Sequence, residues 1–165
     1  MVTDYPVLIV DNEPEDLEHS CSTLKSAGIH NIISLTDARK VYNVLRKEEI
    51  GVLLLDITIP HISGVDLVKK INKEFPHIPI IVVAATDSIE SAVSCIRNGA
   101  MDYMLKAIEQ TRLVRGIENA LELRSLKIRF DELKHRLIRD ELDTPEAFSR
   151  IITCNRKMKA IFQYA

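Results

Sequence analysis

The chain has 165 residues, 46% of them hydrophobic and 28% charged, and a formal net charge of -2. A chain of this length buries enough surface to fold without disulfides or a structural metal, and its composition excludes a disordered tail, a collagen-like fibre and a membrane span. The small net charge gives no bulk attraction to nucleic acid or an anionic membrane, and the three cysteines, Cys21, Cys95 and Cys154, lack metal-ligand spacing and read as free thiols in a reducing cytoplasm.

The first apolar run, Val7-Leu8-Ile9-Val10, is followed at once by acids and is not preceded by a basic segment, so it makes a poor secretory signal. Pro14 then sits at a helix-start position, and an amphipathic stretch over 14–27 stops at Gly28. The second run, Ile32-Ile33-Ser34-Leu35, leads to Asp37, a good N-cap for a helix over 37–48. The third, Val52-Leu53-Leu54-Leu55, precedes a helix over 64–75 that ends at Phe75, just before Pro76. The fourth, Ile80-Ile81-Val82-Val83, precedes a helix over 88–98 that starts at Ser88 and stops at Gly99. A weaker run, Tyr103-Met104-Leu105, is followed by a fifth helix from near Glu109. The strongest runs are continuous rather than alternating, as in strands covered on both faces. Five βα units in about 120 residues predict an α/β fold, a doubly wound parallel sheet with right-handed crossovers and helices on both faces.

Sheets of this kind carry their sites at the carboxyl ends of the strands. Asp11, Asn12 and Glu13 follow the first run, Asp56 the third, Ala84, Ala85 and Thr86 the fourth, and Lys106 the fifth. In the flavodoxin-like strand order 2-1-3-4-5, Asp11, Asp56 and Lys106 converge on one edge. Converging carboxylates call for a cation, and hard oxygen ligands with room for water suit Mg²⁺. A lysine opposite them stabilises an anion brought into the site.

These residues carry a resemblance. Val7-Leu8-Ile9-Val10-Asp11-Asn12-Glu13-Pro14, Leu54-Leu55-Asp56-Ile57-Thr58-Ile59-Pro60, Gly64 and Gly99-Ala100-Met101-Asp102-Tyr103-Met104-Leu105-Lys106 resemble, in order and spacing over about residues 5–122, the receiver domain of two-component response regulators. The resemblance implies that Asp56 is the phospho-acceptor, that Asp11 and Asn12 occupy the acidic pair holding Mg²⁺ together with Asp56 and the backbone carbonyl of Thr58, that Lys106 pairs with the phosphoryl group, and that Tyr103 is the aromatic switch residue. It implies in-line transfer of a phosphoryl group from the phosphohistidine of a sensor histidine kinase.

Three positions depart from the family pattern. Asn12 replaces the second acid of the metal-binding pair: its amide oxygen still ligates, but one formal charge is gone, and weaker Mg²⁺ binding is the expectation. Ala84, twenty-two residues before Lys106, replaces the switch Ser or Thr. A methyl group donates no hydrogen bond to a phosphoryl oxygen, although Thr86 lies two residues on. Lys106-Ala107 replaces Lys-Pro, so a trans peptide is expected there. Plainer readings stand beside these roles: Asp56 capping the next turn, Tyr103 as ordinary packing, Glu13 as a solvated acid, and His61 and His77 as lone loop histidines.

No Pro or Gly occurs between Gly116 and Pro145, so the fifth helix is expected to run from about 109 to 142. Leu123, Leu126, Phe130, Leu133 and Leu137 are spaced 3, 4, 3 and 4, a heptad seam that predicts a homodimer, unless that face packs back on its own domain. The flanking Lys127, Arg129, Lys134 and Arg136 weaken such pairing. The last stretch, Phe148-Ser149-Arg150-Ile151-Ile152-Thr153 and Met158-Lys159-Ala160-Ile161-Phe162, resembles the opening of the AAA+ ATPase domain of sigma-54-dependent transcription activators of the NtrC type. The organisation expected is a receiver domain over 1–122, a helical linker and dimerisation segment over 123–143, and the start of a truncated AAA+ domain over 144–165. No phosphate-binding Gly-x-x-x-x-Gly-Lys-[Ser/Thr] sequence is present, so the chain is read as a phospho-acceptor and not as an ATPase; contacts with DNA and sigma-54 RNA polymerase would belong to domains absent from it. The competing reading is a pseudo-receiver, a module of the same fold that signals without phosphate. A small flavodoxin-like or haloacid-type enzyme is disfavoured by glycines too widely spaced for a dinucleotide loop.

Overall fold

The computed structural model of the chain describes residues 5–138 except His61 and Ile108. The expectations for 139–165, including Cys154 and the AAA+ resemblance, and for the Leu137 side chain and His61, lie outside the described residues and side chains. Five strands, β1 (Val7–Val10), β2 (Ile32–Leu35), β3 (Val52–Asp56), β4 (Ile80–Ala84) and β5 (Asp102–Leu105), form one parallel sheet in the order β2-β1-β3-β4-β5. Helices α1 (Pro14–Ser26), α2 (Val41–Lys47), α3 (Gly64–Glu74), α4 (Ile89–Arg97) and α5 (Gln110–Ile138) alternate with them. The expected fold and strand order are therefore those observed.

Side chains along a strand point alternately to opposite faces, and the core divides accordingly. Leu8, Val10, Leu53, Leu55, Ile80 and Val82 pack with residues of α2, α3 and α4. Val7, Ile9, Val52, Leu54 and Ile81 pack with Leu17 and Leu24 of α1 and with Leu113 and Ile117 of α5. The helix limits follow local chemistry. Pro14 occupies the first turn of α1, and Ser63 and Ser88 cap α3 and α4 by accepting from the backbone of Asp66 and Ser91. Gly28 and Gly99, at φ +87° and +104°, take the left-handed backbone that ends α1 and α4.

The stretch expected as one helix over 37–48 is divided. Asp37 caps it as expected, accepting from the backbone of Arg39, but Ala38–Lys40 form a 3₁₀ turn before α2 begins. Arg39 also forks onto both Asp37 oxygens at 2.9 and 3.0 Å, which favours the tighter turn. In α5 the seam residues Leu123, Leu126, Phe130 and Leu133 are exposed. Among the described residues no helix is long and apolar enough to cross a membrane, and no peptide bond is cis, Lys106-Ala107 included.

Candidate phospho-acceptor site

Sheet register assembles the site. Val10 lies beside Leu55, so the residues that follow, Asp11 and Asp56, emerge side by side. They share the strand phase of Ile9 and Leu54 and so face the α1/α5 side of the sheet. Asp56 pairs in turn with Val83 of β4, and the backbone N–H of Lys106 donates to the Ala84 carbonyl at 2.8 Å, which brings the end of β5 to the same edge. Both carboxylates are almost fully buried, Asp11 at 6% and Asp56 at 2% exposure.

The Lys106 ammonium holds them together. Its Nζ lies 3.0 Å from an Asp11 oxygen, 3.0 Å from Asp56 Oδ2 and 2.6 Å from Oδ2 of Asp16, on the first turn of α1. Burial alone would lower the Lys106 pKa, but its hydrogen bonds to Asp16 and Asp11 and the adjacent Asp56 charge outweigh that and hold it above the ordinary lysine value, so it stays charged. The Asp11 carboxyl is pushed up, chiefly by burial and secondarily by Asp56; the backbone N–H of Glu13, 2.9 Å from Oδ1, and Lys106 offset part of this.

The two oxygens of Asp56 differ. Oδ1 accepts the Thr58 backbone N–H at 2.7 Å. Oδ2, although near Lys106, has no aligned hydrogen-bond partner, and neither does the buried Oδ1 of Asn12. Buried oxygens without partners are costly unless something else engages them. The buried Asp11 and Asp56 carboxylates and the open Asn12 amide oxygen are hard oxygen donors, the chemistry that a divalent cation of the Mg²⁺ type takes. Among the described residues no three or more His, Cys, Asp or Glu form a metal-holding group, so such a cation would depend on the neutral oxygens and water. A cavity of about 50 Å³ beside the carboxylates, lined also by Asp16, His19 and Gln110, leaves room for water.

Among the described residues, the side chains of the other expected site residues make no hydrogen bond to this cluster. Ala84 is 2% exposed and presents only a methyl group at the end of β4. Thr86 is exposed, and its part in hydrogen bonding is through its carbonyl, which accepts from the Tyr103 hydroxyl at 3.3 Å. Tyr103 packs against the core on the α2/α3/α4 side of the sheet. Glu13 is exposed, the solvated acid of the plainer reading. Asp16 is the site residue that sequence reasoning missed. It sits in the first turn of a Pro-started helix, where an acid ordinarily serves the helix N-terminus, so nothing set it apart from a dipole-stabilising residue.

The profile of the response regulator receiver domain matches residues 7–118. The chain is 30% identical over 120 residues to the C4-dicarboxylate transport transcriptional regulatory protein DctD of Pseudomonas aeruginosa, covering 73% of this chain and 26% of that protein. It is similar to NtrX from Brucella abortus, with a TM-score of 0.73 at 28% identity over 86% of this chain and 30% of that one. It is also similar to the beryllofluoride-activated NtrC4 receiver domain dimer, with a TM-score of 0.67 at 25% identity over 72% of this chain and 98% of that one. The chain spans 26–29% of the length of the curated regulators DctD, NtrX-like and PilR. A five-stranded sheet in this order, an acid-and-lysine cluster at its carboxyl edge and a profile match over most of the chain lead to one assignment: the chain belongs to the response regulator receiver domain family of two-component systems.

Proposed function

We propose that Asp56 accepts a phosphoryl group from the phosphohistidine of a sensor histidine kinase in the cytoplasm, and that this regulates an attached output domain for sigma-54-dependent transcription. The observation that carries the reading is Asp56 Oδ2, a buried carboxylate oxygen with no aligned hydrogen-bond donor, 3.0 Å from the Lys106 ammonium. In the transfer, Oδ2 attacks phosphorus, the P–N bond to the donor imidazole breaks, and a P–O bond to Asp56 forms. The Thr58 N–H fixes Oδ1, so one oxygen remains for attack. Lys106 balances negative charge on the phosphoryl oxygens. Asp11, Asn12, Asp56 and the Thr58 carbonyl would hold Mg²⁺, which when bound supplies further charge neutralisation of the phosphoryl group.

Residues 1–122 act in this reading as the receiver, 123–143 as a helical linker and homodimerisation segment, and 144–165 as the start of an AAA+ domain. Similarity to DctD, PilR and NtrX supports placing the chain in regulators of that type. Mg²⁺-dependent binding of beryllofluoride, an acyl-phosphate mimic, tests the site: the melting temperature should rise in the natural chain and not in Asp56→Asn. Absence of the rise would favour the pseudo-receiver, the phosphate-independent interaction module to which Ala84 points.

A further inference from the structure

Asp16 is a third acid on the Lys106 ammonium. A lysine ammonium has three N–H donors, and the carboxylates of Asp11, Asp16 and Asp56 stand at 3.0, 2.6 and 3.0 Å from it, Asp16 nearest. The Asp16 side chain is 41% exposed, against 8% for Asp11 and 1% for Asp56, so it approaches the lysine from the solvent side while the other two approach from the sheet. The ammonium forms hydrogen bonds with Asp11 and Asp16, whereas Asp56 Oδ2, as near as Asp11, is paired with it by charge and has no aligned donor.

The charges make a second point. Asp11, Asp16, Asp56 and Lys106 sum to two negative charges, the amount one divalent cation neutralises. Without Asp16 the cluster carries a single negative charge, because position 12 is a neutral asparagine. Its buried Oδ1, also unpartnered, offers a dipole to a cation and no net charge.

We propose that Asp16 is a positioning residue of the phospho-acceptor site: it anchors Lys106 from the solvent side and supplies, from the first turn of α1, the negative charge that Asn12 omits. Charge at position 16 and charge at position 12 are then exchangeable for binding Mg²⁺. The inference rests on the reading of Asp56 and its neighbours as the Mg²⁺ and phosphoryl site.

The test is a charge-relocation cycle on the full chain, with Mg²⁺ alone as the probe and calorimetry as the readout. Asp16→Asn, at a half-exposed position, should weaken Mg²⁺ binding by roughly 3- to 10-fold at low salt, less as salt screens the charge. The double variant Asn12→Asp/Asp16→Asn should recover at least the natural affinity, which a role in packing alone would not produce. The Lys106 ammonium ¹⁵N shift should move in metal-free Asp16→Asn and stay in place in Asp102→Asn, a control that leaves the cluster intact. An unchanged Mg²⁺ affinity in Asp16→Asn, or no recovery in the double variant, would overturn the assignment to Asp16 while leaving the Asp56 site standing. No Mg²⁺ binding by the natural chain would overturn both.

Discussion

The Thr58 backbone N–H donates to Oδ1 of Asp56 at 2.7 Å, and this one bond makes the two oxygens of a buried carboxylate unequal. It is a turn bond between residues two apart, formed because the chain bends as β3 ends. The oxygen it leaves open lies next to Lys106. Local turn chemistry thereby selects the oxygen at which a phosphoryl group would arrive.

Lys106→Met removes the cation among the three acids and leaves the buried Asp11 and Asp56 with only the backbone N–H groups of Glu13 and Thr58 to offset their charge. A loss of about 2–4 kcal/mol is expected in denaturant unfolding at neutral pH, near the cost of breaking a buried pair. The deficit should shrink toward pH 4 as the Asp11 carboxyl, pushed up by burial, takes up a proton. In the natural chain the Lys106 pKa is raised in the folded state. Its stabilisation is therefore complete below the ordinary lysine value and is lost only as pH rises through the higher folded one. An equal deficit at pH 4 and pH 7 would contradict this.

Restoring a hydroxyl by Ala84→Thr should strengthen the response of Tyr103. A hydroxyl on a phosphoryl oxygen is a charge-assisted bond of roughly 1.5–3 kcal/mol, and Ala84 provides none. Beryllofluoride should then shift the Tyr103 ring resonances further in Ala84→Thr than in the natural chain. An equal shift would show that the Thr86 backbone, already bonded to the Tyr103 hydroxyl, carries the coupling.

Gly64 is required by close approach. A Cβ there would stand 2.6 Å from Ile57 Cβ and 2.7 Å from the Ile57 carbonyl oxygen, beside the acceptor strand end. Backbone gives less readily than a side-chain tip, so Gly64→Ala should destabilise by about 1–3 kcal/mol despite the better helix propensity of alanine. Thermal unfolding measures this, and an unchanged or raised midpoint would contradict it.

Leu126, Phe130 and Leu133 are 54%, 67% and 59% exposed, as a seam awaiting a partner helix would be. The expected dimer is weak, because Lys127, Arg129, Lys134 and Arg136 flank the seam, and it should tighten at high salt as their repulsion is screened. Sedimentation should show loss of the dimer on truncation after Glu122. Monomers for both chains at high micromolar concentration would contradict the linker reading.

Much of this was legible in the sequence because strands of a parallel sheet read as short, mostly apolar runs. The buried Val7–Val10 and the half-exposed edge strand Ile32–Leu35 have the limits those runs set, and the helix stops at Gly28 and Gly99 coincide with positive φ. Asp11, Asp56 and Lys106 could be brought together from strand order alone. Other features depend on side-chain geometry that spacing does not carry. The 3₁₀ turn before α2 accompanies the fork of Arg39 onto Asp37. The Asp16 contact depends on how α1 is placed over the sheet edge, and the inequality of the Asp56 oxygens on a single turn bond.

The most direct test is intact mass after incubation with acetyl phosphate, with and without Mg²⁺. The account predicts a gain of one phosphoryl group that requires Mg²⁺ and disappears in Asp56→Asn. No gain in the natural chain, or a gain that survives Asp56→Asn, would contradict it.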